Sequence, residues 1–291
     1  EGVMMRNADK YAVAVRKTDG EIVVKTEEYK GIVQNKKIRS LPIIRGVFSF
    51  IDSMVLGMST LTYSASFFMD EEEEEKDEKK ESVMMGLTIA CSVVMAVAIF
   101  MILPYFLSQL FRKFTDSTTL ITLLEGAVRL VIFFGYILLI SRMKDIQRVF
   151  MYHGAEHKCI NCIEHGMELN VENVLKSSRL HKRCGTSFLF IVMIVSIIFF
   201  LFIRIESPIW RVVFRLLLIP VIAGVSFEFI RLAGKSENKL VIFLSKPGMM
   251  LQKLTTREPD ASMAEVAIAS VEAVFDWRAY LKENFGWQEK V

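Results

Sequence analysis

His153, Glu156 and His157 stand in the order H-x-x-E-H, and His181 and Cys184 follow in the same polar segment. All four histidines and three of the four cysteines of the chain lie between His153 and Cys184. Imidazole and thiolate are the side chains that hold zinc-like ions, and a random scatter would not collect them in one place. On a helix, residues at i and i+4 share a face, so His153 and His157 can aim at one ion while Glu156 projects beside them. This is the order of the inverted zinc-peptidase motif, in which two neutral imidazoles and a third ligand hold the metal and the carboxylate takes a proton from the attacking water. A five-residue pattern is common by chance. His181 and Cys184, spaced i, i+3, strengthen it by arriving from the same segment. The bland alternative is a buried polar network built on the two histidines, with His181 an interfacial residue beside Lys182 and Arg183. Cys159, Cys162 and His165 form a C-x-x-C with a nearby histidine, but a second pair at zinc-finger spacing is missing, so bystander thiols are expected.

The element that must carry the motif reads as an amphipathic helix over residues 145–164. Ile146, Val149, Phe150, His153, His157 and Ile160 recur at three- and four-residue steps and form one stripe, which ends near Gly166. The two histidines are expected on this apolar face. A short helix after Asn170 should turn Val171 and Val174 inward. His181 and Cys184 then come just before a long apolar run.

That run is one of several. The chain has 291 residues, 52% of them hydrophobic, and a positive mean hydropathy, too apolar for an ordinary water-soluble domain. Residues 83–111, 119–140, 186–205 and 210–230 are each long enough to span a bilayer. A fifth stretch, 46–69, carries Asp52 and many Ser, Thr and Gly residues. Lys and Arg accumulate on the cytoplasmic side; residues 1–45 hold ten, 141–185 hold eight and those after Ile230 hold nine. Four spans place all three basic blocks and both termini in the cytoplasm of a multi-pass inner-membrane protein, with 112–117 and 206–209 outside. The stretch 46–69 is then a re-entrant or in-plane hairpin. The net charge of +3 becomes a topology signal, giving no ground for nucleic-acid binding. A reducing cytoplasm makes Cys159, Cys162 and Cys184 ligands or inert packing in preference to disulfides, and Cys91 a small filler within a span. The chain opens at Glu1 without a Met, so a few residues are expected to precede it, and no secretory signal is visible.

The fold class is a mainly α polytopic membrane protein in five parts. Residues 1–45 form a β-containing segment, 46–140 the re-entrant piece and two spans, 141–185 the His/Cys-rich loop, 186–230 two further spans, and 231–291 interfacial and cytoplasmic helices. Residues 11–15 and 22–26 flank Asp19-Gly20 as a β-hairpin, which alone is marginal and should pair with further strands or dock on the loop. The acidic run 70–81 reads as a solvated linker. Residues 240–254, broken by Pro247-Gly248, read as a helix pair along the headgroups. Residues 261–284 read as one amphipathic helix with Val266, Ala269, Val274, Trp277 and Leu281 to one side. The polar run 255–260 reads as its entry, with Glu258 or Asp260 capping and Arg257 and Glu258 as support. Charges inside a bilayer tend to mark function. Glu125 and Arg129 are i, i+4 in the second span and can pair. Arg211 and Arg215 can snorkel at the outer start of the fourth. Glu228, at its cytoplasmic end, is a candidate ligand or orienting carboxylate, or else a partner of Arg231.

Five blocks resemble a known family: Glu1-Gly-Val-Met-Met-Arg6, His153-Gly-Ala-Glu-His-Lys158, Arg179-Leu-His-Lys-Arg-Cys-Gly-Thr-Ser187, Ser226-Phe-Glu228 with Arg231-Leu-Ala-Gly234, and Thr255-Thr-Arg-Glu-Pro259. They resemble bacterial membrane proteins of the YqhQ type, a domain of unknown function labelled a metal-dependent enzyme. The resemblance covers nearly the whole chain. It implies that His153, Glu156, His157, His181 and Cys184 are motif positions and that Cys159, Cys162 and His165 are not. It supplies no reaction.

Two functions are consistent with these residues. The first is an integral-membrane hydrolase for a membrane-associated substrate at the cytoplasmic face. In it, His153, His157 and one of His181, Cys184 or Glu228 hold a divalent ion, most simply zinc, and Glu156 is the general base. Lys182 and Arg183 would attract an anionic group. The second is a non-enzymatic scaffold with a closed four-ligand site, its hairpin and last helix recruiting a partner or forming a homo-oligomer. A transport variant would use Glu125, Arg129 and Glu228 as a polar path. Four protein ligands favour the structural role; three with an open position favour catalysis.

Overall fold

The computed structural model describes residues 2–67, 78–182, 184–203, 205, 207–236 and 238–288. Arg183 and most of the acidic run 70–81 lie outside the described residues. Three strands, β1 (Gly2–Asn7), β2 (Lys10–Arg16) and β3 (Ile22–Glu28), form an antiparallel meander in that order. The expected hairpin is β2–β3, turning at Gly20 with φ of 90°. β1 supplies the further strand that stabilises it, with Val3 opposite Ala14.

Alternation along β2 gives its two faces different neighbours. Tyr11, Val13 and Val15 pack on Leu56 of α2 (Ile44–Ser66). The small residues Ala12 and Ala14 face α11 (Ala261–Glu272), close enough for the Ser270 hydroxyl to donate to the Ala12 carbonyl at 3.1 Å. A short α1 (Lys36–Ser40) precedes α2. α2 is one continuous helix, so the stretch 46–69 is not a hairpin. Asp52 is fully buried on it, accepting from Tyr29 Oη at 3.1 Å and the Ile32 amide at 2.9 Å, with Arg39 at 3.3 Å.

Among the described residues, five helical stretches are long and apolar enough to cross a membrane: Ile44–Ser66, Val83–Lys113, Thr118–Ile140, Gly185–Phe202 and Ile209–Gly234. The second comprises most of α3 (Glu78–Val97), a π-helical turn (Ala98–Ile102), α4 (Leu103–Gln109) and a 3-10 turn (Leu110–Lys113). Val83, Leu87, Val94 and Met95 on it are exposed, a surface that water would penalise. The others are α5 (Thr118–Ile140), α8 (Gly185–Phe202) and α9 (Pro208–Lys235). α10 (Lys239–Thr255) runs through Pro247 as a single helix instead of the expected pair; a Cβ at Gly248 would lie 3.1 Å from Ser187 Cβ, so the glycine lets α10 pack closely on α8 just past the proline. Its Leu251 packs with Phe133, Ile137 and Met193.

The motif lies on α6 (Lys144–Glu164), which ends at His165 before the left-handed Gly166. α7 (Val171–Lys176) follows, capped by Asn170 with Val174 buried. The inward face of α6 differs from the expected stripe. Tyr152, Ala155, Cys159 and Cys162 pack against Val266, Ala267 and Val271 of α11, whereas Val149 is 57% exposed. The helix expected over 261–284 divides into α11 and α12 (Trp277–Phe285), because the Asp276 carboxylate captures the Ala279 amide and starts a new helix. Val266, Trp277 and Leu281 are buried as expected.

Candidate metal centre

α6 turns His153 and His157 towards the start of α8 and the end of α10. Their ring centroids are 4.4 Å apart. Each ring is fixed through Nδ1: His153 to the Thr255 carbonyl at 2.9 Å and His157 to the Arg179 carbonyl at 2.7 Å. A ring that donates from Nδ1 keeps the lone pair on Nε2, and this is how second-layer contacts prepare a histidine ligand. Cys184 enters from the α8 N-terminus, where its sulfur also accepts from the Thr186 amide. One ligand atom each of His153, His157 and Cys184 lies within 4.8 Å of the others.

The donor set suits zinc. Cys184 Sγ is 3.2 Å from His153 Nε2, against about 3.6 Å for sulfur and nitrogen sharing a tetrahedral ion. Burial pushes the Cys184 thiol up, but hydrogen bonding and charge from His157, with help from Thr186, outweigh it and leave the thiol below its ordinary range. Glu156 makes no side-chain hydrogen bond among the described residues. Burial holds its carboxyl above the ordinary glutamate range, offset in part by His153. A cavity of about 320 Å³ opens over this group, lined by His153, Glu156, His157, Ile160, His181 and Cys184.

The carbonyls that fix the rings depend on residues without an assigned role in the sequence reading. Lys158 is buried and donates to the Leu175 and Ser177 carbonyls at 2.8 and 2.7 Å. Asn161 donates to the Ser178 and Leu180 carbonyls at 2.7 and 3.0 Å. Together they hold the strap that presents the Arg179 carbonyl. Gln252 of α10 accepts from the His181 amide and donates to its carbonyl, at 2.8 and 2.7 Å. Gly154 lets residues 255–258 reach α6, since a Cβ there would lie 2.1 Å from the Arg257 carbonyl. The sequence signal for these is the glycine, amide and lysine interleaved with the histidines on one helix.

Other candidates take different places. His181 lines the cavity, its ring 5.9 Å from His157, but Nε2 faces Glu164 at 3.2 Å and the residue is outside the three-atom group. Glu228 lies outside the three-atom group and forms a two-pronged pair with Arg45 at the α2–α9 crossing, with one contact of 2.6 Å. Arg231 is exposed, and Arg45 holds the position expected of it. Glu125 and Arg129 pair at 2.9 Å as expected. Arg215 does not snorkel; it is buried and clamps Glu125 at 2.6 and 2.9 Å, so the three charges are consumed by one another. Arg257 donates to the Ser141 carbonyl at 3.1 Å, and Glu258 bridges Lys158 and Arg179 at 2.9 and 3.3 Å. Both act as clamps; the capping carboxylate is Asp260. Lys182 is exposed in a turn. Cys159 and Cys162 are buried in the α6–α11 core, where burial raises both thiols, that of Cys162 to about 11. His165 bonds the Asn161 carbonyl at the helix end.

The family model described as "Protein of unknown function (DUF1385)" matches residues 41–277, most of the chain and every element of this site. The chain belongs to the DUF1385 family. A curated relative, "Uncharacterized protein YqhQ" of Bacillus subtilis (strain 168), is 35% identical over 295 residues, covering 98% of this chain and 92% of the relative. No solved structure matches the chain. The DUF1385 match encloses the His153–Cys184 segment together with Thr255 and Gln252, so the ligand group and its supports fall within one matched region.

Proposed function

We propose that the protein is a multi-pass membrane metal-dependent hydrolase, with zinc held by His153, His157 and Cys184 at the cytoplasmic face and Glu156 as general base. The observation that carries this reading is the convergence of three ligand atoms within 4.8 Å beside an open cavity and a carboxylate without a hydrogen bond of its own. Three protein ligands with room beyond them are the hallmark of a catalytic, not a structural, zinc site. Zinc bound by these three residues would supply Lewis acidity and lower the pKa of a water towards neutrality. Glu156, half-buried at the cavity wall, takes the proton of the attacking water. The water oxygen bonds to the electrophilic carbon or phosphorus, the bond to the leaving oxygen breaks, and Glu156 returns the proton to that oxygen.

Membrane placement follows from parity. The sheet packs directly on α6 and α11, so all three occupy one aqueous side. The chain between the sheet and α6 must then cross the bilayer an even number of times, although it holds three candidate helices. We assign α2 to the membrane surface, a reading supported by the sheet packed on it and the buried Asp52 along it. Four crossings leave the basic blocks and both termini in the cytoplasm.

The test is Glu156→Gln in the full chain. Zinc content should stay at the wild-type level while hydrolysis of a total membrane-lipid extract falls at least about 100-fold. Loss of the metal, or undiminished turnover, would overturn the assignment. A second reading, a scaffold with a structural zinc, is favoured by His181 lining the same cavity. Zinc-edge X-ray absorption showing three nitrogens and one sulfur would support it over the hydrolase.

A further inference from the structure

A second cavity, of about 890 Å³, adjoins the first, and His153 and Glu156 line both. Its walls are mainly apolar, with Val3 and Val13 from the sheet, Leu61 and Ala65 from α2, and Val149 from α6. The cations beside them are already matched. Arg16 pairs with Glu265 at 2.6 Å and donates to the Gly20 and Ser262 carbonyls, and Lys17 pairs with Glu21 at 2.5 Å. Arg148 is likewise engaged, and its charge is felt by Asp260. A charged ligand group would be desolvated here without a counter-charge of its own. The groove therefore suits an uncharged, apolar occupant, and its position says which kind. Leu61, 66% exposed, continues a stripe of exposed Met54, Val55 and Met58 along α2, the helix assigned to the membrane surface. The groove thus reaches from the membrane-facing stripe of α2 to Glu156.

We propose that this groove binds one hydrocarbon chain of an uncharged lipid ester and brings its acyl carbonyl to Glu156. The proposal names the substrate class of the hydrolase reading and rests on that reading for the role of Glu156. The chain lies between the sheet and α2, covering apolar wall that a water-soluble substrate would leave wet. Recognition is by the chain and the ester; headgroup charge adds nothing, because each lining cation already has a partner. The volume is in the range of ordinary small-molecule sites, about 300–1,000 Å³. In the reaction the water oxygen joins the acyl carbon and the ester C–O bond breaks. The alcohol oxygen leaves with the proton that Glu156 returns.

The test uses the full chain in phosphatidylcholine nanodiscs with a monoacylglycerol carrying a diazirine in its acyl chain. Photolabel should map to peptides containing residues 61–65 and 149–152. At equal membrane mole fraction, unlabelled monopalmitoylglycerol should compete roughly tenfold better than monobutyrylglycerol, since apolar contact grows with chain length. Lysophosphatidate with the same long chain should compete within about twofold of monopalmitoylglycerol. Leu61→Trp, at an exposed position, should cut labelling roughly fivefold by narrowing the mouth. Thr62→Trp, exposed on the same helix but outside the groove lining, should leave labelling unchanged. Label spread over α3 and α9, competition indifferent to chain length, or an equal loss in both tryptophan variants would overturn the proposal. So would a preference of roughly tenfold for lysophosphatidate, or equal displacement by an apolar peptide. Zinc content of the same samples separates the two ideas. A labelled groove without zinc sinks the metal reading alone, and zinc without groove labelling sinks the groove alone.

Discussion

The rings of His153 and His157 are each held by a backbone carbonyl, so the site depends on side chains that never approach the ligand atoms. Gly154 is the sharpest case. Its Cα–H face meets residue 257, and an added methyl would sit 2.1 Å from a carbonyl oxygen that helix α6 cannot move away from. Gly154→Ala should therefore destabilise the protein by about 3 kcal/mol, read as a lower thermal-unfolding midpoint, and should loosen the Thr255 carbonyl from His153. An unchanged midpoint would show that the approach is not tight. Among residues, the sequence made the His/Cys cluster legible through type and spacing: His153, His157 and Cys184 converge, and the thiols of Cys159 and Cys162 are buried elsewhere. The pairing of Glu228 with Arg45 was not legible, because the two are 183 residues apart and nothing local distinguishes a carboxylate that pairs from one that binds a metal. Lys158, Asn161 and Gln252 were missed for a related reason. Their acceptors are main-chain carbonyls of a strap whose path is set by tertiary packing.

At the scale of elements, capping chemistry sets the boundaries. Asp260 starts α11 by accepting from the Met263 amide at 2.9 Å and from the Ser262 hydroxyl at 2.6 Å. The Ser262 bond, with the main-chain amides, holds its carboxyl below the ordinary aspartate range. Asp260→Ala should cost about 1 kcal/mol near neutral pH. A depressed folded-state value means that the contribution is complete above the ordinary aspartate range and is lost as pH falls through the folded value. The stability gap between wild type and variant should close on acidification; a gap that widens would contradict the capping role. The long periodic elements, α5, α6, α8 and α9, were readable from apolar length or spacing alone. α10 and the α11–α12 break were not. Pro247 and Gly248 read as a stop, yet the helix continues through them and packs closely on α8 at the glycine, while the Asp276 cap divides a pattern that is otherwise continuous in hydrophobic period.

For the whole molecule, the sheet ties residues near the start of the chain to a helix near its end and to the motif helix between them, and the proposed topology therefore calls for an even number of crossings on either side of α6. Fluorescent and alkaline-phosphatase fusions at each terminus of the full chain should report both ends in the cytoplasm. Termini on opposite sides would mean that α2 crosses and the sheet has left α6. Among the described residues, four of the five helices long and apolar enough to span were legible from length. The disposition of α2 was not, because hydropathy treats Asp52 as a flaw in a span, whereas Tyr29, the Ile32 amide and Arg39 enclose it. All of this architecture serves one claim, that three side chains from two distant segments share an ion. Elemental analysis of the purified full chain is the direct measurement. The account predicts about one zinc per chain in wild type and in Glu228→Gln, and none in His157→Ala or Cys184→Ser. Wild-type protein without stoichiometric metal, or a metal content indifferent to His157 and Cys184, would contradict it.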